Sequence, residues 1–308
     1  MLNSNIDDDH AFSQSQETVL LTIIRIESFF SLISSMFIVI SYFKFKSLQK
    51  FSFTLVLFLS LSDMGCCCSY LMGNPKSSSL CTMQGIIQSF FELASLLWVT
   101  VIAYTLFRKV ILQRDSKQDL CKYACFCFGL STIAALLPLT TNSYGSAGGW
   151  CWITTSSSSS FLSPGNLWRF SLFYFPLWTI IFFNGFTYVW VIKAVQRLMR
   201  TQPPGSHSKY DKMLRRLKSY PFILCCCWAG ATINRFQNVL EPNNPIFALF
   251  VLQVSTRSLQ GILNAVAYGF TSPVVNEWSS WWGKEESNNN PDEKGEEEDS
   301  NRKPLLKT

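Results

Sequence analysis

The chain has 308 residues, of which 48% are hydrophobic and only 15% are charged. The apolar residues form long blocks and the charges form short clusters between them, a segregation that is rare in soluble proteins of this size. The net charge of +6 does not indicate nucleic-acid binding, because the basic residues lie between apolar blocks, where membrane topology accounts for them. Residues 1–20 contain no Lys or Arg and so lack the basic segment of a secretory signal peptide. The composition therefore indicates an integral membrane protein.

The long apolar blocks predict the number of membrane spans. A helix that crosses the ~30 Å hydrocarbon core needs about 20 mostly apolar residues. Windows of that length predict seven spans, at about residues 21–43, 51–73, 81–107, 121–139, 168–192, 220–240 and 246–270. The predicted fold is an all-α membrane protein, a bundle of seven transmembrane helices.

Basic residues are distributed unevenly between the two sides of this bundle. The three loops on one side contain sixteen Lys and Arg, whereas the tail 1–20 and the other three loops contain only Lys76. Because Lys and Arg accumulate on the cytoplasmic side, we expect residues 1–20 to be an extracellular tail and the C-terminus to be cytoplasmic. This topology predicts a multi-pass protein of the plasma membrane, with the lipid bilayer as its first partner.

The region after the last span contains two different compositions. Residues 271–282 include Val274, Trp278 and Trp281, which indicate either a short amphipathic helix on the inner leaflet or an unstructured linker with aromatic anchors. Residues 283–308 are rich in Asn, Glu and Lys, and we expect them to be a disordered cytoplasmic tail.

Cysteine and histidine placement limits the chemistry of the chain. Of eleven cysteines, only Cys81 and Cys151 fall on the predicted outer side, where oxidising conditions favour a disulfide over two unpaired thiols. The two histidines, His10 and His207, lie outside the spans, so haem ligation and zinc chemistry inside the membrane are unsupported. We expect no metal, no cofactor and no catalytic residue.

Ionisable side chains inside the spans are expected to face the bundle interior, because each is expensive in hydrocarbon. Asp63 lies midway along the second span, and Glu92 and Arg257 lie near the middle of the third and seventh. Either Glu92 and Arg257 form an ion pair, or one of them binds a charged ligand, and Arg235 of the sixth span is a further candidate for this cavity. Both alternatives remain open at this point.

The longest basic loop, residues 193–218, joins the fifth and sixth spans. Apolar residues at helical spacing on both flanks predict that the two helices continue beyond the membrane. These extensions and the foot of the third span form a candidate docking surface for a cytoplasmic partner, comprising Arg108, Lys109, Arg197, Leu214, Arg215 and Leu217. The positive-inside rule alone would place the charges here, so the apolar residues are the informative part of this surface.

Several short strings lie at matching places in this topology. They are Lys50-Phe-Ser-Phe, Leu61-Ser-Asp-Met, Gly149-Trp-Cys-Trp, Pro176-Leu-Trp, Asn184-Gly-Phe-Thr-Tyr, Tyr220-Pro, Trp228-Ala, Ile233-Asn-Arg, Asn264 and Ala267-Tyr-Gly-Phe. With these strings the chain resembles the cyclic-AMP-receptor-like, or class E, seven-helix G-protein-coupled receptors, and most closely their plant-type branch. The resemblance extends from about the first span to the end of the seventh.

The resemblance implies a receptor that responds to an extracellular small molecule and couples to the α subunit of a heterotrimeric G protein. It also implies a Cys81–Cys151 bridge and an internal polar network that contains Asp63, Asn264 and Tyr268. One departure is Phe107, which stands before Arg108 where rhodopsin-like receptors have an acidic residue. The identity of the ligand is not implied.

Two other classes of function compete with a receptor. Seven-span transporters are built from two three-helix repeats, and the first three and last three spans show no self-similarity. A membrane scaffold that binds G-protein components without exchanging their nucleotide is the second alternative.

Overall fold

The computed structural model describes residues 13–147, 149–154, 163–200, 207–241, 244, 246–269 and 271–289. The first four helices are α1 Gln14–Lys44, α2 Phe51–Leu71, α3 Ser78–Val110 and α4 Leu120–Leu136. A hairpin of two short antiparallel strands follows, β1 Tyr144–Ser146 and β2 Cys151–Ile153. Helix α5 spans Pro164–Arg200 and includes the π-helical turn Arg169–Tyr174. The later helices are α6 His207–Leu240, α7 with its stretches Phe247–Ser258, Gln260–Asn264 and the π-helical turn Ala265–Gly269, and α8 Ser272–Asn289.

Helix α3 is the central element of the bundle. Its most apolar window is 67% buried, compared with 22% for α4 and 28% for α1. It contacts α2, α4 and α5, while α6 contacts both α5 and α7, and α7 contacts α1. Helices α1, α2, α3, α5, α6 and α7 therefore close into a ring, α4 packs against the outside of α3, and side chains on α3 reach most of the interior.

The surface and the interior of the bundle have the polarity expected in a membrane. Large aromatic side chains point outward, with Phe175 73% and Phe182 71% exposed, whereas Ser31, Ser62 and Asp63 are buried. Small interior residues allow close helix contacts, and at Gly261 an added Cβ would collide with Ser31 of α1. Within the described residues, the five helices α1 to α5 are long and apolar enough to cross a membrane. The chain is therefore a membrane protein.

Helix α1 begins earlier than the sequence predicts. The Ser13 hydroxyl accepts a hydrogen bond from the backbone of Gln16 at 3.3 Å, and the Gln16 side chain accepts one from the backbone of Ser13 at 3.1 Å. Such reciprocal capping fixes the first turn of a helix. Residues 14–20, which are expected to belong to the extracellular tail, are consequently helical, and the predicted start of the first membrane span at about residue 21 lies within this helix.

Helix α8 packs against the end of α1. Trp278 donates from Nε1 to the Ser41 hydroxyl at 2.8 Å, and Lys44 Nζ lies 3.0 Å from the ring centre of Trp281. Val274 is fully buried. Of the two alternatives for residues 271–282, the structure has the helix. It continues to Asn289, which corrects the expected start of the disordered tail at residue 283, and residues 290–308 lie outside the described residues.

Candidate functional site

The β1–β2 hairpin is fixed over one end of the bundle by a disulfide. Cys151 in β2 is bonded to Cys81 near the start of α3, with the two Cα atoms 5.2 Å apart. This confirms the pairing predicted from the two outer cysteines. Trp152 and Ile153, which follow Cys151, are 1% and 2% exposed, so the hairpin inserts its side chains into the bundle. We call this the hairpin end.

Two further contacts orient the hairpin. Gln84 of α3 accepts a hydrogen bond from the backbone of Cys151 at 3.0 Å and donates to the carbonyls of Ser69 and Gly73. Tyr144 donates to the Ala135 carbonyl at 2.8 Å, and burial raises the pKa of Tyr144 to about 12, so the phenol remains a donor at neutral pH.

Gly85 is the residue that allows this approach. A Cβ added at Gly85 would overlap the Tyr144 ring, so this ring packs against α3 at a position where the helix has no side chain.

Below the hairpin, Glu92 of α3 and Arg257 of α7 form an ion pair, and the two side chains are 4% and 7% exposed. Glu92 also accepts hydrogen bonds from Tyr70 at 2.6 Å and from Gln88 at 3.2 Å. The Arg257 guanidinium is enclosed by aromatic rings, the closest being Trp228 at 4.9 Å. Of the two alternatives that the sequence left open, this conformation has the ion pair.

The space around this pair is small. It measures about 30 Å³ and is bordered by Asp63, Tyr70, Glu92, Trp228 and Arg257. A water molecule needs at least about 10–15 Å³ of such space, so the hollow accommodates about two waters and no larger ligand.

Asp63 lies on the other side of the same hollow and joins three helices. Its carboxylate accepts hydrogen bonds from Ser95 of α3 at 2.6 Å and from Asn264 of α7 at 2.9 Å. Gln260 donates to the Ser95 hydroxyl at 3.1 Å. Tyr268 lies in the π-helical turn that follows, but its side chain is outside the described part of the structure. The Glu92 and Asp63 groups border the same hollow, and we name the two groups together the polar column.

Arg235 lies apart from the polar column. Its guanidinium is 5.9 Å from the ring of Trp152 and 5.6 Å from that of Phe250. Arg169 of α5 also lies near this tryptophan, with its guanidinium 5.5 Å from the Trp152 ring. Its Nε donates to the Ile153 carbonyl at 2.6 Å. Arg235 therefore does not share the ion pair with which the sequence grouped it.

At the opposite end of the bundle, Arg108 is engaged by the segment that follows α3. It forms a salt bridge with Asp119 at 2.6 Å and donates to the Tyr123 hydroxyl at 3.0 Å. The acidic partner absent at Phe107 is thus supplied from another position. Lys109 and Arg197 are exposed.

The helical extensions of the candidate docking surface are present in the backbone. Helix α5 continues to Arg200 and α6 begins at His207, as the apolar spacing predicts. Leu214, Arg215 and Leu217 lie within α6, but their side chains are outside the described residues.

Sequence reasoning missed several residues of this site. Gln84, Gln88 and Glu92 are four residues apart, so they line one face of α3, and this spacing is a readable signal of a polar stripe in an apolar helix. No comparable signal identifies Asp119 or Arg169, because their contacts depend on the packing of separate segments.

Comparison with known proteins agrees with this architecture. Residues 11–284 match the family model described as slime mold cyclic AMP receptor. The chain is 39% identical over 253 residues to G-protein coupled receptor 1 of Arabidopsis thaliana, covering 79% of this chain and 76% of that protein. It is 29% identical over 272 residues to cyclic AMP receptor-like protein A of Dictyostelium discoideum, covering 88% of this chain and 69% of the relative. The relatives carry receptor names, and the chain belongs to the slime mold cyclic AMP receptor family.

Proposed function

We propose that the chain is a cell-surface receptor whose helices α1 to α7 cross the plasma membrane with the hairpin end outside. It transmits the binding of an extracellular small molecule to the α subunit of a heterotrimeric G protein at the opposite end. The observation that supports this most is the polar column, because it connects the hairpin end to the middle of the bundle through α2, α3 and α7.

The polar column supports a switch with two arrangements. Trp152 of the hairpin lies 5.8 Å from the Arg257 guanidinium, so a ligand that displaces the hairpin changes the surroundings of the ion pair. Separation of Glu92 from Arg257 opens the hollow and removes the ionic contact between α7 and α3. Asn264 lies on the same helix and holds Asp63, so movement of α7 reaches the second group of the column.

A transporter and a non-exchanging scaffold remain the competing functions. A transporter needs a path for its substrate between the two faces, and the small hollow around a closed ion pair does not favour one. A scaffold would bind the G protein without accelerating nucleotide exchange, and an activity measurement separates this class from a receptor.

The first experiment measures nucleotide exchange on the G protein and needs no known ligand of the receptor. The full chain in nanodiscs is mixed with purified heterotrimer, and uptake of a fluorescent GTP analogue is compared with that on empty nanodiscs. We expect Glu92→Gln to raise basal exchange roughly fivefold or more, a factor typical of coupling between sites, because it breaks the ion pair. Glu241→Gln, on an exposed carboxylate beyond α6, is the control and leaves exchange unchanged. If the wild type and Glu92→Gln both bind the heterotrimer but neither accelerates nucleotide exchange, the chain is a scaffold.

The candidate docking surface has its own test. We infer that the apolar residues of the α6 extension contact the G protein, since topology requires the charges but not the leucines. Leu214→Ser combined with Leu217→Ser should weaken association with the heterotrimer and leave surface expression unchanged. Replacement of Lys193 and Arg200, two exposed charges outside this surface, by Gln is the matched charge control and should have little effect. Wild-type association of the leucine double variant would remove this surface from the docking site.

Orientation is tested independently. An epitope tag before residue 1 should be accessible on intact cells, and a tag after residue 308 only after permeabilisation. The reverse accessibility would contradict both the receptor and the orientation.

A further inference from the structure

A second, larger cavity lies between α5 and α6 and faces outward from the bundle. Its volume is about 500 Å³, within the range of small-molecule sites. It is bordered by Leu167, Phe170, Tyr174, Phe175, Trp178 and Phe236, with Arg235, Ser171 and Thr232 among them. The border residues Phe175, Phe236 and Leu167 are 73%, 58% and 55% exposed on the surface that lipid contacts. We call this space the lateral pocket.

Arg235 is the charged residue of the lateral pocket. The side chain is 6% exposed, and its Nε and Nη2 groups have no hydrogen-bond partner among the described residues. The aliphatic hydroxyls of the pocket already donate, Thr232 to the Trp228 carbonyl at 2.8 Å and Ser171 to the Leu167 carbonyl at 2.6 Å, and the Tyr174 phenol lies beside Arg235 itself. Arg235 therefore carries the unused hydrogen-bonding capacity of this pocket.

The charge near Arg235 is also unbalanced. Arg169 lies close enough to repel it, no described carboxylate forms a salt bridge with it, and the buried carboxylate of Glu92 is paired with Arg257. A buried cation without a counter-ion is costly. An anionic group bound at Arg235 would offset that cost, whereas a neutral group would not.

We propose that the lateral pocket binds a single-chain amphiphile with a carboxylate head, a long-chain fatty acid, which enters from the bilayer. The aromatic and leucine walls take the acyl chain. The head reaches Arg235, about 8 Å along the axis from the end of α6 at Leu240. Rotation of the flexible arginine side chain then turns Nε–H and Nη2–H to the two carboxylate oxygens, a bidentate geometry that guanidinium groups favour. The volume holds one acyl chain, which favours a fatty acid over a two-chain phospholipid.

The test uses the full chain in phosphatidylcholine nanodiscs and needs no G protein, so its outcome is separate from that of the proposed function. Palmitate with a diazirine in its chain is photolysed with the protein, and labelled peptides are located by mass spectrometry. Saturable labelling is expected near Trp178 and Phe236. The alcohol of equal chain length and diazirine position is the neutral probe, and it should label at least about tenfold more weakly, the factor expected for a lost charge-assisted hydrogen bond.

Two variants separate the head from the chain. Arg235→Gln should weaken palmitate labelling at least about tenfold, whereas Arg25→Gln, on an arginine of α1 away from the pocket, should leave it unchanged. Ser171→Phe keeps Arg235 and fills the pocket from an exposed position, so it should also abolish saturable labelling.

Three results would overturn the proposal. Equal labelling by palmitate and the alcohol would show an apolar crevice without anion recognition. Unchanged labelling of both Arg235→Gln and Ser171→Phe would place the lipid elsewhere. Stronger competition by phosphatidylglycerol than by unlabelled palmitate would assign the pocket to a phospholipid headgroup instead.

Discussion

The buried pair of Glu92 and Arg257 predicts that neutralising the two partners one at a time lowers the free energy of unfolding by unequal amounts. Glu92→Gln leaves Arg257 charged and buried, with aromatic rings as its remaining partners, the nearest at 4.9 Å. Breaking a buried pair in this way costs about 3–5 kcal/mol, and the cation–π contacts recover on the order of 2 kcal/mol at most. We expect Glu92→Gln to lower the free energy of unfolding by roughly 1–5 kcal/mol on these figures.

Arg257→Gln should be the milder change. It leaves the Glu92 carboxylate with two donors in place, Tyr70 at 2.6 Å and Gln88 at 3.2 Å. Hydrogen bonds to a charged group contribute about 1.5–3 kcal/mol each. The Glu92 carboxylate that remains in Arg257→Gln is therefore better stabilised than the Arg257 guanidinium that remains in Glu92→Gln. The double variant, which leaves no buried charge at this position, should cost less than the sum of the two single changes.

The assay is unfolding of the three variants and the wild type in mixed micelles titrated with SDS, followed by tryptophan fluorescence. The four free energies form a double-mutant cycle, which isolates the interaction between the two side chains. Additive effects would show that the ion pair contributes no coupling. A larger loss for Arg257→Gln than for Glu92→Gln would refute the argument from the surrounding donors and rings.

Three further predictions concern the rest of the chain. Cys151→Ser should free the hairpin and reduce surface expression, and mass spectrometry of the unreduced wild type should find Cys81 and Cys151 linked; two free thiols would contradict the bond. Asp63→Asn should preserve folding while altering basal nucleotide exchange, because Asn keeps one acceptor oxygen, the Asn264 amide can turn to accept from the new amide group, and the charge is removed; exchange identical to wild type would show that the carboxylate is not part of the switch. Asp119→Asn should remove the salt bridge to Arg108 at the end of the bundle opposite the hairpin and change nucleotide exchange, while lowering the free energy of unfolding by no more than about 1 kcal/mol, since both groups are partly exposed; unchanged exchange would separate this pair from coupling.

The sequence predicts those contacts that depend on which face or side a residue occupies. Cys81 and Cys151 were identified because topology places both on the oxidising side. Asp63, Glu92 and Arg257 were expected inside because hydrocarbon penalises charge. Each of these inferences needs only the span pattern and the cost of exposing one group, so it does not depend on how closely the helices pack.

The size of the hollow and the place of Arg235 could not be read in the same way. Both depend on where Trp228 and Trp152 pack, and those positions depend on the hairpin and on contacts between distant helices. The Ser13–Gln16 capping box was readable in the sequence, but the apolar window that defined the first span begins later. The residue at which a capped helix begins is therefore not the residue at which its membrane-spanning part begins.

Trp152 connects the two sites proposed for this protein. It is held in the hairpin next to the disulfide, and its Nε1 donates to Ser89 of α3 at 3.1 Å. Its ring lies 5.8 Å from Arg257 of the polar column and 5.9 Å from Arg235 of the lateral pocket. A fatty acid that draws Arg235 outward removes a cation from one side of the ring, and a ligand that moves the hairpin shifts the ring away from both arginines. Because coupling between two binding sites is reciprocal, a lipid in the lateral pocket and a ligand at the hairpin must alter each other's affinity by the same factor, provided that both act on the position of this one side chain.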